Sequence, residues 1–152
     1  NPASEANIHS DPEAAVAVFK ADWDLTMLGL DVTRNIRLTD EDIQRFARSN
    51  KSTAQLIAKA VPNYLKFYKK KYGKNWCQLH DPSVISYILH PSLFEVKQYP
   101  MTIGLHGSGR GKTWAWMPWH LWNTTVDADK KVTVVLNADA DQVLQEMFNA
   151  LI

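Results

Sequence analysis

Two Asp-Pro dipeptides, Asp11-Pro12 and Asp81-Pro82, constrain this chain more than any other feature. Proline suits the first turn of a helix, where its missing N–H has no intrahelical partner, and an aspartate before it can accept from the orphan donors there. Each dipeptide opens an apolar-rich run. "SDPEAAVAVFKAD" predicts a helix with Asp11 as N-cap, Pro12 at the first helical position and Glu13 in the first turn. "HDPSVISYIL" predicts another, with Asp81 as the cap and Pro82 as the first helical residue. Between the two, "DLTMLGLDV" predicts a short, nearly all-apolar strand, as expected of a sheet covered on both faces. One helix opens at Thr39, with Asp42 completing a weak capping box, and a longer one runs from Ser52 to Tyr72, kinked before Pro62 and stopped at Gly73. "FEVKQYPMTIG", the tryptophan-rich run and "KVTVVL" predict two or three strands, and "ADADQVLQEMFNALI" predicts a last helix capped by Asp139 with Gln142 three residues on. Helices alternating with apolar strands imply an α/β layered architecture.

The 152 residues, 45% apolar and 22% charged, fit one α/β region, 1–152, with a substantial core. Seventeen Lys and Arg against sixteen Asp and Glu leave a formal charge of +1, which argues against a nucleic-acid partner. Lys69, Lys70 and Lys71 sit late in a predicted helix, where a solvated face favourable to the helix dipole explains them. Cys77 is alone, so no intrachain disulfide or thiolate metal cluster can form, and a reducing, cytoplasmic setting is expected. No apolar run approaches the roughly 20 residues of a membrane span, and no signal-like segment opens the chain. The opening "NPASEAN", without an initiator Met, suggests a processed chain or a piece of a longer one.

"GLHGSGRGKT", residues 104–113, ends like a phosphate loop. That pattern needs a glycine five residues before the Gly of Gly-Lys-Thr and a helix directly after it. His106 occupies the first position, and "WAWMPWHLW", with Pro118 inside, follows instead of a helix. Gly107, Ser108, Gly109 and Gly111 therefore predict a turn between two strands.

Polar chemistry gathers in two places. "NPASEANIHSD" holds Glu5, Asn7, His9 and Asp11 before a helix; on an extended backbone Glu5 and Asn7 point the same way and could grip a hydroxyl, or the stretch is a loop satisfying its own backbone. In "LHDPS", His80 suits proton transfer near neutral pH, and Asp81 offers hard oxygen ligands or simply caps the helix. Tyr64, Tyr68 and Tyr72 recur every four residues, a stripe that fits a core or interface face. Trp114, Trp116, Trp119 and Trp122 could stack on a sugar or base, or belong to a half-buried strand. His90 and His120 flank proline-containing turns without a nameable partner.

"NPASEANIHSDPEAA", "MLGLDVT" and "LHDPSVISYIL", in that order and spacing, resemble the C-terminal half of the inosine-uridine preferring nucleoside hydrolases, and the similarity extends into "VTVVLNADADQVLQEMFNAL". The resemblance implies part of a Rossmann-like layered fold that lacks its N-terminal strands, with "GLDVT" as mainly core strand. It implies hydrolysis of the N-glycosidic bond of a ribonucleoside substrate to free base and ribose. Glu5 and Asn7 would bind ribose hydroxyls, His80 would protonate the departing base, Asp81 would ligate Ca²⁺, and Tyr64 and Tyr68 would close over the base. Protonation makes the base a neutral leaving group from an oxocarbenium-like ribosyl cation. Members of the family carry an Asp-x-Asp-x-x-x-Asp-Asp motif near the N-terminus. "DADKK" at 127–131 and "DADQ" at 139–142 lack its spacing, and calcium takes about six to eight oxygens, more than Asp81 offers. The calcium site is thus expected to be incomplete here, the missing N-terminal half of the same protein is an implied partner, and the isolated chain is expected to be inactive. A non-catalytic binding or interaction module derived from the family is the alternative, and a homo-oligomer is compatible with either.

Overall fold

The computed structural model describes residues 2–120, 127 and 129–152; Asn1, Trp122 and Ala128, each part of a stretch read above, lie outside them. In chain order the elements are α1 (Ala6–Ser10), α2 (Pro12–Lys20), β1 (Thr26–Leu28), α3 (Leu30–Thr33), β2 (Arg37–Thr39), α4 (Asp40–Arg48), α5 (Ser52–Tyr72) and β3 (Trp76–Gln78). There follow α6 (Asp81–Leu89), β4 (Phe94–Tyr99), β5 (Met101–Ile103), β6 (Thr113–Ala115), β7 (Val132–Ala138) and α7 (Ala140–Leu151), with short 3-10 turns at Pro91–Leu93, Gly107–Gly109 and Pro118–His120. Strands β1, β7 and β4 form one sheet in that order, and β2–β3 and β5–β6 are antiparallel pairs. The class is the α/β class expected. Among the described residues no helix is long and apolar enough to cross a membrane.

Contacts divide the chain into two compact units, Asn1–Met27 with Val96–Val135 and Leu28–Glu95 with Leu136–Ile152. In the first, Tyr99, Val132 and Val134 are buried against Phe19, Leu25, Met27, Met101 and Met117. Asp11 caps α2 as expected, accepting from Ala14 N–H at 2.9 Å. The glycine-rich run is the expected turn between β5 and β6, and a strand follows Lys112 where a phosphate loop needs a helix. Arg110 in that turn donates to both Glu13 carboxylate oxygens at 2.7 and 2.8 Å and to the Leu105 carbonyl, tying the turn to α2. Gly111 has φ +82°, and a Cβ there would press on Ser4, so glycine is needed at this position.

In the second unit, Thr39 and Asp42 make a full capping box for α4, and Arg37, Leu38 and Thr39 pair with Gln78, Cys77 and Trp76. Ile36, Leu38, Ile43, Phe46, Cys77 and Val143 are buried, and Phe46 packs against Phe148 of α7 with ring centroids 5.0 Å apart and the planes tilted by 40°. Each large apolar side chain removed from water contributes about 1.5–3 kcal/mol before entropy is counted. Helix α5 runs from Ser52 to Tyr72 through Pro62 and ends at Gly73, whose φ of +65° is the left-handed C-terminal stop expected.

Three expectations need correction, and two strands were not foreseen. The strand over "DLTMLGLDV" is only Thr26–Leu28; "LDVT" is the helical turn α3, because Val32 and Thr33 N–H turn back to the Gly29 carbonyl and Asp31 accepts from Val32 N–H. Residues 6–10 form α1, so Asn7 is helical while Glu5 is the extended residue before the helix, and the backbone of the pair is not extended throughout. The two three-residue strands β2 and β3 were not foreseen. Finally, α6 begins at Asp81, making His80 the residue before the helix, and no side chain caps there. Ser83 N–H bonds the His80 carbonyl, closing the first turn one residue earlier than the Asp-Pro pattern implied.

Candidate active site

The second unit brings three of the predicted side chains together. Tyr64 and Tyr68 stand one turn apart on α5, rings edge to face at 5.0 Å and hydroxyls 3.4 Å apart. Residue 80 follows β3 by two positions, and its Nε2 lies 3.3 Å from the Tyr68 hydroxyl, which donates to Gln78 Oε1 at 3.2 Å. On the other edge of the ring, Nδ1 lies 2.8 Å from Oγ1 of Thr33, a buried residue of α3. The Gln78 amide in turn donates to the Arg34 carbonyl at 3.3 Å.

Tyr68, Gln78 and His80, but not Tyr64 or Thr33, line a cavity of about 310 Å³ together with Leu30, Arg34, Tyr72, Lys74 and Trp76. Its walls are aromatic faces with a few polar ends. The Arg37 guanidinium sits 4.3 Å over the Trp76 ring, holding that indole in place. Partial desolvation of Tyr64, which is 42% exposed, and its bond to Tyr68 raise the phenol above its ordinary range, so it stays a neutral hydroxyl. A planar ring with polar edges fits such a site: aromatic surface to stack on, a tyrosine and a glutamine to hydrogen-bond, and an imidazole able to move a proton.

The other predicted residues lie elsewhere in the two units. Asp81, first in α6, stands at the edge of a second cavity of about 750 Å³, mostly apolar and lined by α6 and α7. Glu5 and Asn7 belong to the first unit, before and within α1. Among the described residues no three His, Cys, Asp or Glu side chains gather to hold a metal ion. Asp81 therefore offers one carboxylate toward a cation that takes about six to eight oxygens, and these residues alone do not fit a calcium site. The sequence reading missed Gln78 and Thr33. Gln78 could have been found, since it lies only two positions before His80, at the end of β3; Thr33 could not, being 47 positions away.

The family model described as inosine-uridine preferring nucleoside hydrolase matches residues 1–145. The chain belongs to that family. Its curated relatives include a pyrimidine-specific ribonucleoside hydrolase, RihA, of Photobacterium profundum, 42% identical over 61% of this chain and 30% of its own length. A probable uridine nucleosidase 2 of Oryza sativa subsp. japonica is 33% identical over 81% of this chain and 36% of its own length. Among solved structures, a plant nucleoside hydrolase superposes with a TM-score of 0.91 at 26% identity, over 99% of this chain and 48% of that one. A purine-preferring ribonucleoside hydrolase from Gardnerella vaginalis gives 0.84 at 29% identity, over 98% and 46%. The chain thus spans about a third of the length of the curated relatives and about half of the solved structures it matches.

Proposed function

We propose that this chain contributes to a nucleoside hydrolase domain that cleaves the N-glycosidic bond of ribonucleosides, with His80 as the acid at the departing base. The observation that carries the reading is the contact of His80 Nε2 with the Tyr68 hydroxyl beside an aromatic-lined cavity, in a chain of this family. The substrate class is supported by relatives named ribonucleoside hydrolase and uridine nucleosidase.

In this reading Tyr64 and Tyr68 line the base side, and His80 supplies a proton so that the base leaves neutral. Glu5 and Asn7 take ribose hydroxyls on the strength of the family resemblance. Unpaired polar groups would then penalise sugars that lack a hydroxyl. Asp81 is assigned as one carboxylate of a calcium site whose remaining ligands come from beyond the described residues.

The test supplies what the chain lacks in length. The N-terminal half of a solved relative is joined to this chain, and release of base and ribose from uridine and inosine is followed with and without calcium. Turnover that falls about 10²-fold or more in His80→Ala, with nucleoside binding kept, supports the reading. Turnover indifferent to His80→Ala removes the acid assignment; nucleoside binding without any turnover marks a non-catalytic module.

A further inference from the structure

The bonds around His80 run in one direction, and that direction starts from a group with no choice. The Arg34 carbonyl can only accept, so the Gln78 amide that meets it at 3.3 Å must present its NH₂. Gln78 Oε1, which only accepts, is thereby turned to Tyr68 and takes the Tyr68 hydroxyl proton at 3.2 Å. A tyrosine hydroxyl has one proton; with it committed to Gln78, the Tyr68 oxygen can only accept, from His80 Nε2 at 3.3 Å and from the Tyr64 hydroxyl at 3.4 Å. A neutral imidazole that carries its proton on Nε2 has a lone pair on Nδ1, which accepts from the Thr33 hydroxyl at 2.8 Å. Every partner in this series belongs to the second unit, and Tyr68 and Thr33 are both buried, so solvent does not readily replace them.

We propose that Thr33 and Gln78 are positioning residues that hold neutral His80 as the Nε2–H tautomer, with that proton on the Tyr68 side of the ring. Thr33 fixes the rear edge of the ring and Gln78, by occupying the Tyr68 proton, decides which imidazole nitrogen keeps its own. The consequence for chemistry rests on the reading of His80 as the acid: the form that gives up a proton is the imidazolium, and in the neutral ring that precedes protonation and follows transfer the remaining N–H is held at Nε2, on the border of the 310 Å³ cavity. The tautomer itself does not depend on that reading.

The experiment is a long-range ¹H–¹⁵N correlation spectrum of the histidine rings of the ¹⁵N-labelled 152-residue chain, recorded at alkaline pH where imidazoles are neutral. His80 is assigned by its loss in His80→Gln. The expected result is a protonated, pyrrole-type nitrogen at Nε2 and a pyridine-type nitrogen at Nδ1. In Gln78→Leu the Tyr68 proton is released to donate to His80, and the pattern shifts toward Nδ1–H. In Thr33→Val the Nδ1 resonance moves downfield as its donor is lost, and Thr33→Ser restores it. A wild-type ring protonated on Nδ1 overturns the proposal, as does a Gln78→Leu protein that keeps its amide spectrum and the wild-type tautomer. Should Gln78→Leu fail to fold, the wild-type pattern and the Thr33 pair still decide. Because no reading involves turnover, a failed hydrolysis assay leaves this result standing, and a failed tautomer result leaves the hydrolysis assay standing.

Discussion

At the scale of single residues, two groups set how the chain responds to pH in opposite directions. Cys77 on β3 is fully buried, and burial pushes its thiol up to about 11 from an ordinary value near 9.0. Between those values the unfolded chain has released a proton that the folded chain still holds, so rising pH favours unfolding. The stabilisation is complete below about pH 9 and is lost toward pH 11, about 2 kcal/mol at the upper end. Urea midpoints measured from pH 8 to 11 should therefore fall more steeply for the wild-type chain than for Cys77→Ala, and parallel slopes would remove the assignment. Glu13 behaves the other way: the bidentate bond to Arg110 holds its carboxyl below the ordinary range. That contribution is present above pH 4.5 and lost as pH falls. Both side chains are solvated, so the effect is small. Glu13→Gln should flatten the acid limb of thermal melts between about pH 5 and 3 without changing the curve at pH 7; an unchanged acid limb would show that the pair contributes nothing measurable.

At the scale of elements, the two Asp-Pro dipeptides that look alike in the sequence have different jobs. Asp11 accepts from Ala14 N–H and caps α2, whereas α6 starts on Asp81 itself, with His80 at the cap position and no side-chain capping bond from it. Asp11→Ala should cost about 1 kcal/mol in chemical denaturation, and Asp81→Ala within about 0.5 kcal/mol. Equal losses at the two sites would restore the capping role to Asp81. The contrast also shows what the sequence could say. Long periodic helices, the Asp139 cap, the Thr39–Asp42 box and the Gly73 stop were legible because each is a local pattern of a few residues. The strands β2 and β3 were not, since three residues carry too little alternation to read and their pairing joins positions about 40 apart. "GLDVT" misled for another reason: apolar letters suited a strand, but Asp31 and the Gly29 carbonyl offered the backbone a helical turn instead. The same limit governs the site. Tyr64, Tyr68 and His80 were each nameable, yet what joins them to Thr33 and Gln78 is tertiary and leaves no mark along the chain.

At the scale of the whole molecule, the second unit leaves apolar surface in water along α6 and α7. Ile85 is 57% exposed and Leu89 63%, and both border the cavity of about 750 Å³ whose lining is mostly apolar. Contiguous apolar surface of this kind lies outside what scattered surface leucines explain. In the 152-residue chain in dilute solution this face should bind an environment-sensitive apolar dye and promote association as concentration rises. Replacing two side chains on it, Ile85→Lys with Leu89→Lys, removes exposed rather than buried contacts, so stability should stay within about 1 kcal/mol of wild type. Dye fluorescence should drop and the concentration dependence of light scattering should flatten in the same variant. The converse outcome is equally informative: unchanged dye binding with unchanged stability would mean that the face is already covered in solution, and a large stability loss would mean that these side chains are part of the core. Either result would separate this surface from the Tyr68–His80 cavity, which the two lysines do not touch.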